Sequence, residues 1–340
     1  MKTSIRTMVI AVAAVALSVV AVVSADAADQ IVIKFSHVVA NETPKGQAAV
    51  KFKELAEART KGKVKVEVYP NSSLYKDKEE MEALQIGAVQ MLAPSLSKFG
   101  PLGAKEFEVF DLPYMFDSYA ELHKITYGPV GLGLLKKLEA KGILGLAYWD
   151  NGFKVMSANK PLKIPADFKG MKMRIQSSKT LDAQMRALGA IPQVMAFSEV
   201  YQALQTGVVD GTENPPSNLY TQKMHEVQKH VTVSNHGYLG YAVIVNKKFW
   251  EGLPADIRAQ LESAMKDATK YANEVAKKDN DDALEAVRKS GKSAVHTPTK
   301  EERSAWKKAL VGTHREQESR IGKDVIDSFY KETGLDPNKL

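Results

Sequence analysis

The sequence contains no cysteine. This absence excludes disulfide bonds, thiolate metal sites and cysteine nucleophiles. Four motifs of common catalytic sites are also missing: H-E-x-x-H, G-x-S-x-G, the P-loop and G-x-G-x-x-G. The seven histidines are dispersed, and the spacing of His225 and His230 would not place both rings on one face of a helix. We therefore predict no metal site, no cofactor and no enzymatic activity.

A concentrated block of one charge is absent too. The formal net charge is +7, but basic residues are mixed with acidic ones in segments such as K-D-K-E-E and K-K-D-N-D-D. No segment combines a basic stripe with interleaved aromatic residues, so we predict no nucleic-acid partner. A mildly positive protein attracts small anions. At 340 residues, the chain is long enough for about two domains.

Long hydrophobic runs are confined to the N-terminus. The uncharged run Met8–Val23 follows Lys2 and Arg6 and precedes the small-residue segment S-A-D-A-A. This arrangement is typical of a Sec-type signal peptide cleaved after Ala27, and the run is shorter than the roughly 20 residues that span a bilayer. We predict a signal peptide at residues 1–27, export to the periplasm, and a monomeric mature protein without stable membrane insertion.

Beyond this segment, strand patterns alternate with helix patterns. The segments 31–35 and 64–68 show the period-two alternation of strands, and Thr43 followed by Pro44 indicates the start of a helix between them. The order strand, helix, strand recurs over residues 171–195. Such alternation predicts an α/β fold.

Two blocks of this kind predict two lobes. A turn at D-N-G-F-K (150–154) would act as a hinge between them. A helical pattern then runs from Pro254 to about Ser290; at 1.5 Å per residue it would be about 50 Å long, enough to lie across both lobes. The predicted boundaries are residues 28–150 with 239–279 for lobe I, and 151–238 with 280–340 for lobe II.

The polar face of one predicted strand carries the main site candidate. In the segment M-K-M-R-I (171–175), apolar and polar residues alternate, which places Arg174 on the face opposite the core. Further along, Pro215 favours an extended backbone at Asn214. A guanidinium offers a carboxylate a planar fork of N–H donors, and a side-chain amide adds another donor. The alternative is an ordinary salt bridge from Arg174 to a carboxylate of the protein.

The segment V-V-D-G-T-E-N (208–214) and the rest of the mature chain resemble the solute-binding proteins of TRAP transporters, above all the DctP branch. The resemblance implies a two-lobed, periplasmic-binding-protein-like α/β fold with a long helix spanning both lobes. It also implies capture of a small organic acid, in the first place a four-carbon dicarboxylate such as succinate, malate or fumarate, and its delivery to a TRAP membrane permease.

The resemblance further assigns solute contacts to residues beyond Arg174 and Asn214. Lys154 stands where family members often have arginine, and a lysine cannot present a planar fork to two oxygens. Lys98 would meet the distal end of the solute, because a buried diacid needs compensation at both ends. His37, Phe197 and Tyr238 would complete the pocket. The alternatives are solvated lysines, a structural histidine and aromatic core packing.

Three other functions stay open. The solute could be a monocarboxylate such as a keto acid or a sugar acid, in which case cations at both ends of the site would not be needed. The protein could be a secreted hydrolase or lyase that uses lysine and histidine as acid and base, although no organised constellation of such residues is visible. The loaded protein could also signal to a sensor instead of, or besides, a transporter.

Overall fold

The computed structural model describes residues 30–337, so the predicted signal peptide lies outside the described residues. The strands are β1 Ile31–Ser36, β2 Val64–Tyr69, β3 Met91–Leu92, β4 Ile143–Phe153, β5 Val155–Ala158, β6 Lys172–Ile175, β7 Ile191–Val194, β8 Gly211–Asn214, β9 His230–Thr232, β10 Tyr238–Asn246 and β11 Ala294–His296. The α-helices are α1 Pro44–Arg59, α2 Asp77–Gln85, α3 Tyr119–Thr126, α4 Pro129–Lys137, α5 Lys179–Ala187, α6 Val200–Gln205, α7 Pro216–Thr221, α8 Lys247–Glu251, α9 Ala255–Ser290, α10 Lys300–Leu310, α11 Gly312–Glu316, α12 Glu318–Ile321 and α13 Lys323–Thr333. Short 3-10 helices lie at Leu96–Lys98, Lys105–Asp111, Leu138–Lys141, Pro165–Phe168, Phe197–Glu199 and Met224–Glu226.

The strands form two mixed sheets, one in each lobe. The first has the order β2-β1-β3-β10-β4, and the second has the order β11-β9-β5-β8-β6-β7. In the first sheet β1 runs parallel to β2 and β3, while β10 is antiparallel to β3 and β4. In the second, β6 is parallel to β7 and β8. The predicted two-lobed α/β fold is confirmed.

The predicted turn at residues 150–154 is wrong, because β4 continues through it. Tyr238 and Leu239 of β10 pair with Phe153 and Gly152, which keeps the backbone extended to residue 153. The polar side chains that suggested a turn are buried and hydrogen-bonded instead; for example, the Tyr238 hydroxyl donates to Asp150 Oδ1 at 2.7 Å. Only Lys154 separates β4 in the first sheet from β5 in the second.

The long helix α9 has the predicted bounds and joins the lobes. Its first half packs against α1 and β4, and Thr269 accepts a hydrogen bond from the indole of Trp149 at 2.9 Å. Its second half packs against α7, where Asn280 accepts from the Ser217 N–H at 3.0 Å. The helix ends at Gly291, whose φ of +65° suits a residue without a side chain. The predicted bridging helix is therefore confirmed.

The C-terminal helix packs differently from the predicted boundaries. Phe329 of α13 lies 5.0 Å from the ring of Phe110 and 6.1 Å from that of Phe116, in the hydrophobic core that also contains Leu92 and Ile244 of the first sheet. Residues 321–335 thus pack into the core of lobe I, whereas residues 280–340 were predicted to lie in lobe II. The amphipathic pattern of α13 indicates that one face is buried but not which core receives it. The other boundaries stay a prediction.

No helix among residues 30–337 has both the length and the apolar character that crossing a membrane requires.

Candidate functional site

A small polar cavity lies between the two sheets, at the carboxyl ends of several strands. It has about 280 Å³ of space free of atoms, open solvent included. Four of the predicted site residues line it: Lys98, Arg174, Phe197 and Asn214. In open α/β sheets, this edge is where ligands bind.

Arg174 projects from β6 and is 2% exposed. Its Nε and Nη2 atoms both donate to the carbonyl oxygen of Met195, at 3.1 and 2.8 Å, which fixes the plane of the guanidinium. Among residues 30–337, no carboxylate oxygen comes within 4.0 Å of it, so the predicted alternative of an ordinary salt bridge is not what the structure shows. Burial lowers the pKa of Arg174 while Asp77 and Glu213 raise it. An arginine stays charged throughout the range in which proteins function.

Asn214 and Phe197 lie beside this guanidinium. Asn214 is the last residue of β8, and its amide nitrogen makes only long contacts in the described part of the chain, 3.5 Å to Thr212 Oγ1 and 3.9 Å to Met224 Sδ. The ring of Phe197 lies 5.7 Å from the guanidinium carbon of Arg174. The lobe II wall therefore offers a carboxylate a fixed cation, an amide donor and an aromatic face.

The lobe I wall has a different composition. Lys98 follows β3 in a 3-10 helix and is 8% exposed, so it is not the solvated lysine of the alternative interpretation. Its ammonium forms ion pairs with Asp77, at the start of α2, and with Glu80 Oε1 at 3.3 Å. Burial raises the pKa of Asp77, but the Lys98 and Arg174 charges and two hydrogen bonds hold it at about 2. Asp77 is therefore ionised and partly offsets the positive charge of this wall.

Lys45 is a cavity residue that the sequence interpretation missed. It lies in the first turn of α1, is 1% exposed, donates to the Ala93 carbonyl oxygen at 2.9 Å, and lies 3.9 Å from the centroid of the Tyr241 ring. At the next position, a Cβ on Gly46 would lie 2.3 Å from the Ala40 carbonyl oxygen, so a glycine is required for this close approach. The segment T-P-K-G, which follows a strand, could have indicated a lysine near the ligand. Lysines are usually solvated, however, so the residue type did not suggest a buried position.

Several neutral polar residues also line the cavity and were not predicted. Asn218 accepts a hydrogen bond from the amide of Asn151 at 3.0 Å, and the same amide donates to the Tyr241 hydroxyl at 2.7 Å. Ser95 and Gln176 also line the cavity. Serine, asparagine and glutamine are common on protein surfaces, so these residue types alone do not indicate a ligand-binding site.

Lys154 does not line the cavity. It is 1% exposed and pairs with Glu213 Oε1 at 2.8 Å, while Glu213 Oε2 accepts a hydrogen bond from His236 Nε2 at 2.9 Å. Asp111 lies 3.9 Å from the same ammonium. Burial raises the pKa of Glu213, but Lys154 and His236 together hold it at about 2. Lys154 is thus neither a surface lysine nor a residue of the cavity wall; it neutralises a buried carboxylate where the chain crosses between the sheets.

His37 and Tyr238 also lie outside the cavity wall. His37 is 1% exposed, and neither ring nitrogen has a hydrogen-bond partner of normal geometry among residues 30–337. Burial and then the charge of Lys45 lower the pKa of His37 to about 3, so its ring is neutral. Tyr238 is buried, donates to Asp150, and packs edge-on against Phe116 at 6.0 Å. The predicted solute contacts of Lys154, His37 and Tyr238 stay predictions.

The two lobes touch around the cavity. The Phe197 N–H, on lobe II, donates to Asp77 Oδ2, on lobe I, at 2.5 Å. At the rim, the exposed side chains of Lys76 and Glu199 form an ion pair at 2.9 Å. The two lobes are therefore closed over the cavity, with Asp77 linking the Lys98 side to the Arg174 side.

A larger cavity lies elsewhere on the surface. It has about 1280 Å³ of free space between α3, α4, β4 and α9, and it is lined mainly by apolar groups such as Leu135, Tyr148 and Met265. It contains no arrangement of buried cations, so its size does not make it the better candidate for an anionic ligand. Among the described residues, no group of three or more His, Asp or Glu side chains is placed to hold a metal ion.

Comparison with known proteins agrees with this geometry. A family model described as bacterial extracellular solute-binding protein, family 7, matches residues 35–320. The C4-dicarboxylate-binding periplasmic protein DctP of Rhodobacter capsulatus is 69% identical over 299 residues, covering 88% of this chain and 90% of that protein. A TRAP periplasmic solute-binding protein from Shewanella oneidensis, solved with bound succinate, has a TM-score of 0.87 and 43% identity, covering 89% of this chain and 99% of that one. Another from Pseudomonas aeruginosa, solved with bound L-malate, has a TM-score of 0.82 and 45% identity, covering 84% of this chain and 99% of that one. The chain therefore belongs to family 7 of the bacterial extracellular solute-binding proteins, the solute-binding proteins of TRAP transporters.

Proposed function

We propose that this protein captures a C4 dicarboxylate in the periplasm and delivers it to a TRAP membrane permease. The observation that carries the proposal is the state of Arg174: it is buried on the cavity wall, fixed by a backbone carbonyl, and free of any carboxylate within salt-bridge distance in the described residues. A buried cation without a partner is costly, and an anionic ligand supplies the missing charge.

The second end of the ligand meets cations of the other lobe. Lys98 and Lys45 line the same cavity as Arg174 but belong to lobe I. One carboxylate would be bound by Arg174 with Asn214, and the other by the lysines, with Phe197 packed against the carbon chain. A monocarboxylate would leave the lysine end without its anion. This arrangement favours a diacid over a monoacid of the same length.

Closure follows from the same division of charge. Each lobe carries part of the positive charge, so a dianion between them makes more contacts in the closed state than in the open state and shifts the equilibrium toward closure. The contact between Asp77 and Phe197 then forms as the lobes meet. A closed protein with its ligand enclosed is the form that we expect the permease to recognise.

The names of relatives support the ligand class and the location. The Rhodobacter relative is named as a periplasmic C4-dicarboxylate-binding protein, and two similar structures contain succinate and L-malate. The family description supports a position outside the cytoplasm. The periplasm and the permease partner are our inference from these relatives.

Thermal unfolding with a ligand panel tests the proposal. Succinate, malate and fumarate should each raise the Tm, because a ligand that binds only the folded state stabilises it by about 2.7 kcal/mol at a concentration of 100 Kd. The matched comparison is succinate with succinamate, in which an amide replaces one carboxylate. Succinate should stabilise strongly and succinamate weakly. Equal stabilisation by the two, or stabilisation by keto acids and sugar acids alone, would show that the ligand is a monocarboxylate.

A further inference from the structure

The lobe I wall contains a compact group of four ionisable side chains: Lys45, Asp77, Glu80 and Lys98. Asp77 and Lys98 form a close ion pair, as described above. The other two side chains are less completely paired. Lys45 Nζ has no carboxylate oxygen within 4.0 Å among residues 30–337 and donates to the Ala93 carbonyl instead. Glu80 is 1% exposed, and its Oε1 lies 3.3 Å from Lys98.

The second carboxyl oxygen of Glu80 is the unusual feature. Glu80 Oε2 is buried and has no hydrogen-bond partner within the described part of the chain. An ionised carboxylate with a buried, unpaired oxygen is expensive, whereas a neutral carboxylic acid leaves a smaller cost of desolvation. The geometry thus disfavours charge on Glu80. It also disfavours charge on Lys45, because the ammonium is buried without a carboxylate within 4.0 Å among residues 30–337, and one carbonyl oxygen and the face of the Tyr241 ring replace only part of its hydration.

The pKa shifts agree with this geometry. Burial raises the pKa of Glu80 to about 7, against the opposing charges of Lys98 and Lys45. Burial and then the charge of Lys98 lower the pKa of Lys45 to about 7, against the opposing charges of Glu80 and Asp77. Both groups therefore change protonation near neutral pH in the closed cavity. Because they interact, the protons belong to the pair and not to one residue.

A bound dianion acts on both groups in the same direction. Its negative charge stabilises the ammonium form of Lys45 and destabilises the carboxylate form of Glu80, so both pKa values rise. The charge balance points the same way. With Arg174, Lys45 and Lys98 charged, Asp77 ionised and Glu80 neutral, the protein presents two net positive charges, which match a dianion.

We propose, on the basis of the function proposed above, that the Lys45–Glu80 pair takes up protons from the solvent when a dicarboxylate dianion binds. Lys45 then faces the ligand as an ammonium ion beside Lys98, and Glu80 lies behind Lys98 as a neutral acid. No bond of the ligand is made or broken. Lys45 is in this way a specificity-determining residue, because a monoanion supplies too little negative charge to drive the uptake.

The other groups around this pair do not titrate in the same range. Arg174, on lobe II, stays charged, and Asp77 stays ionised with a pKa of about 2. His37 stays neutral, and burial raises the pKa of Tyr241 to about 12. The opposing charges of Asp77 and Glu80 raise the pKa of Lys98 despite its burial. Proton uptake near neutral pH is therefore assigned to Lys45 and Glu80.

Isothermal titration calorimetry of the full mature protein with succinate tests this inference. Titrations at about pH 8, well above the pKa of an ordinary carboxyl group, are run in phosphate and in Tris, whose ionisation enthalpies differ. The dependence of the observed enthalpy on the buffer measures the number of protons taken up. Each group has a pKa of about 7 and is therefore mostly deprotonated at pH 8, so we expect an uptake approaching two protons. The affinity should rise about tenfold for each proton taken up when the pH falls by about one unit.

A charge-balanced double variant identifies the groups. Lys45→Met with Glu80→Gln removes one cation and one acid of the pair, and it should abolish the dependence on buffer. Lys51→Met with Glu54→Gln is the matched control, since these residues form an exposed pair on the outer part of α1. The control should keep the full uptake.

The outcomes separate this inference from the proposed function. Succinate binding without proton uptake in the wild-type protein overturns the inference and leaves the proposed function intact, and this result does not depend on any variant folding. Full uptake in the Lys45→Met, Glu80→Gln variant overturns the assignment to these two residues. If none of the C4 diacids binds, the proposed function and this inference both fail.

Discussion

The two walls of the cavity hold positive charge in opposite ways. On lobe II, Arg174 is held by a backbone carbonyl, and no acidic group shares its charge at salt-bridge distance in the described residues. On lobe I, Lys98 and Lys45 lie among Asp77 and Glu80, which offset their charge. The lobe II wall carries a permanent cation in a fixed orientation. The lobe I wall carries a cluster of side chains whose net charge depends on pH and on the ligand.

This difference indicates a division of roles. A planar, permanently charged donor binds any carboxylate in one orientation, so it provides affinity and position. A cluster that already contains its own anions gains from a ligand only when the ligand brings enough additional negative charge. We infer that the lobe II wall anchors the acid and that the lobe I wall distinguishes dianions from monoanions.

The largest expected effect comes from removing the permanent cation. Arg174→Ala should weaken succinate binding by about a thousandfold, roughly 4 kcal/mol, because one partner of a buried charge pair is lost. Arg174→Lys should recover only part of this, since a lysine lacks the planar fork. Calorimetry with succinate measures both. Arg186→Ala, which removes an exposed arginine paired with Asp182 on α5, is the control. Micromolar binding by Arg174→Ala would exclude the anchor role.

The next effect concerns stability behind the lobe II wall. Lys154→Met should lower the free energy of unfolding by about 3 kcal/mol, because Glu213 is left as a buried charge without its main partner. Urea denaturation measures this, and Lys154→Met combined with Glu213→Gln should recover part of the loss. Lys160→Met, at an exposed position, is the control. A Lys154→Met variant of normal stability that no longer binds succinate would instead support the predicted direct contact.

A smaller effect distinguishes the lobe I wall, whose charge depends on pH, from the lobe II wall, whose charge is permanent. The folded-state pKa of Glu80 is raised to about 7 from 4.5, so its contribution to stability is fully present below about pH 4.5 and is lost as the pH rises through about 7. Glu80→Gln mimics the neutral acid, so the stability of the variant relative to wild type should rise between those limits, by about 3 kcal/mol in all. Urea denaturation of ligand-free protein over this range measures the difference. Glu82→Gln, exposed on the same helix, should show none; a constant difference at all pH values would contradict the raised pKa.

The smallest effect is expected at the rim, where the two walls meet in solvent. Lys76→Gln removes the exposed ion pair with Glu199, and such pairs contribute little because solvent screens them. Succinate affinity should therefore change by no more than about fivefold, and less at high salt. A change comparable to that of Arg174→Ala would mean that closure depends on the rim and not on the charges inside.

The sequence was sufficient for the fold and for the lobe II wall. Period-two alternation around Arg174 placed its side chain opposite the core, and the helical pattern after Pro254 predicted the long bridging helix. The resemblance to a family added Lys98 and Phe197, which line the cavity. These features depend on short-range periodicity or on a motif, both of which can be read from a single sequence.

The predictions that differ from the structure depend on contacts distant in sequence. The D-N-G-F-K segment has the composition of a turn, but pairing with β10 keeps it in a strand. The C-terminal helix has an amphipathic pattern, but the aromatic core of lobe I receives it. Residue type and position in the sequence did not distinguish two buried lysines. Lys154 pairs with Glu213, whereas Lys45 lines the cavity and has no carboxylate oxygen within 4.0 Å among residues 30–337.

Local patterns in the chain specify where strands and helices form, which face of each is apolar, and which face of β6 carries the planar cation of Arg174. Only the folded chain decides which buried charges neutralise each other and which are left for a ligand. The reason is that pairing of a buried charge depends on distances of a few ångströms between residues that are far apart in sequence, and on the removal of water around them.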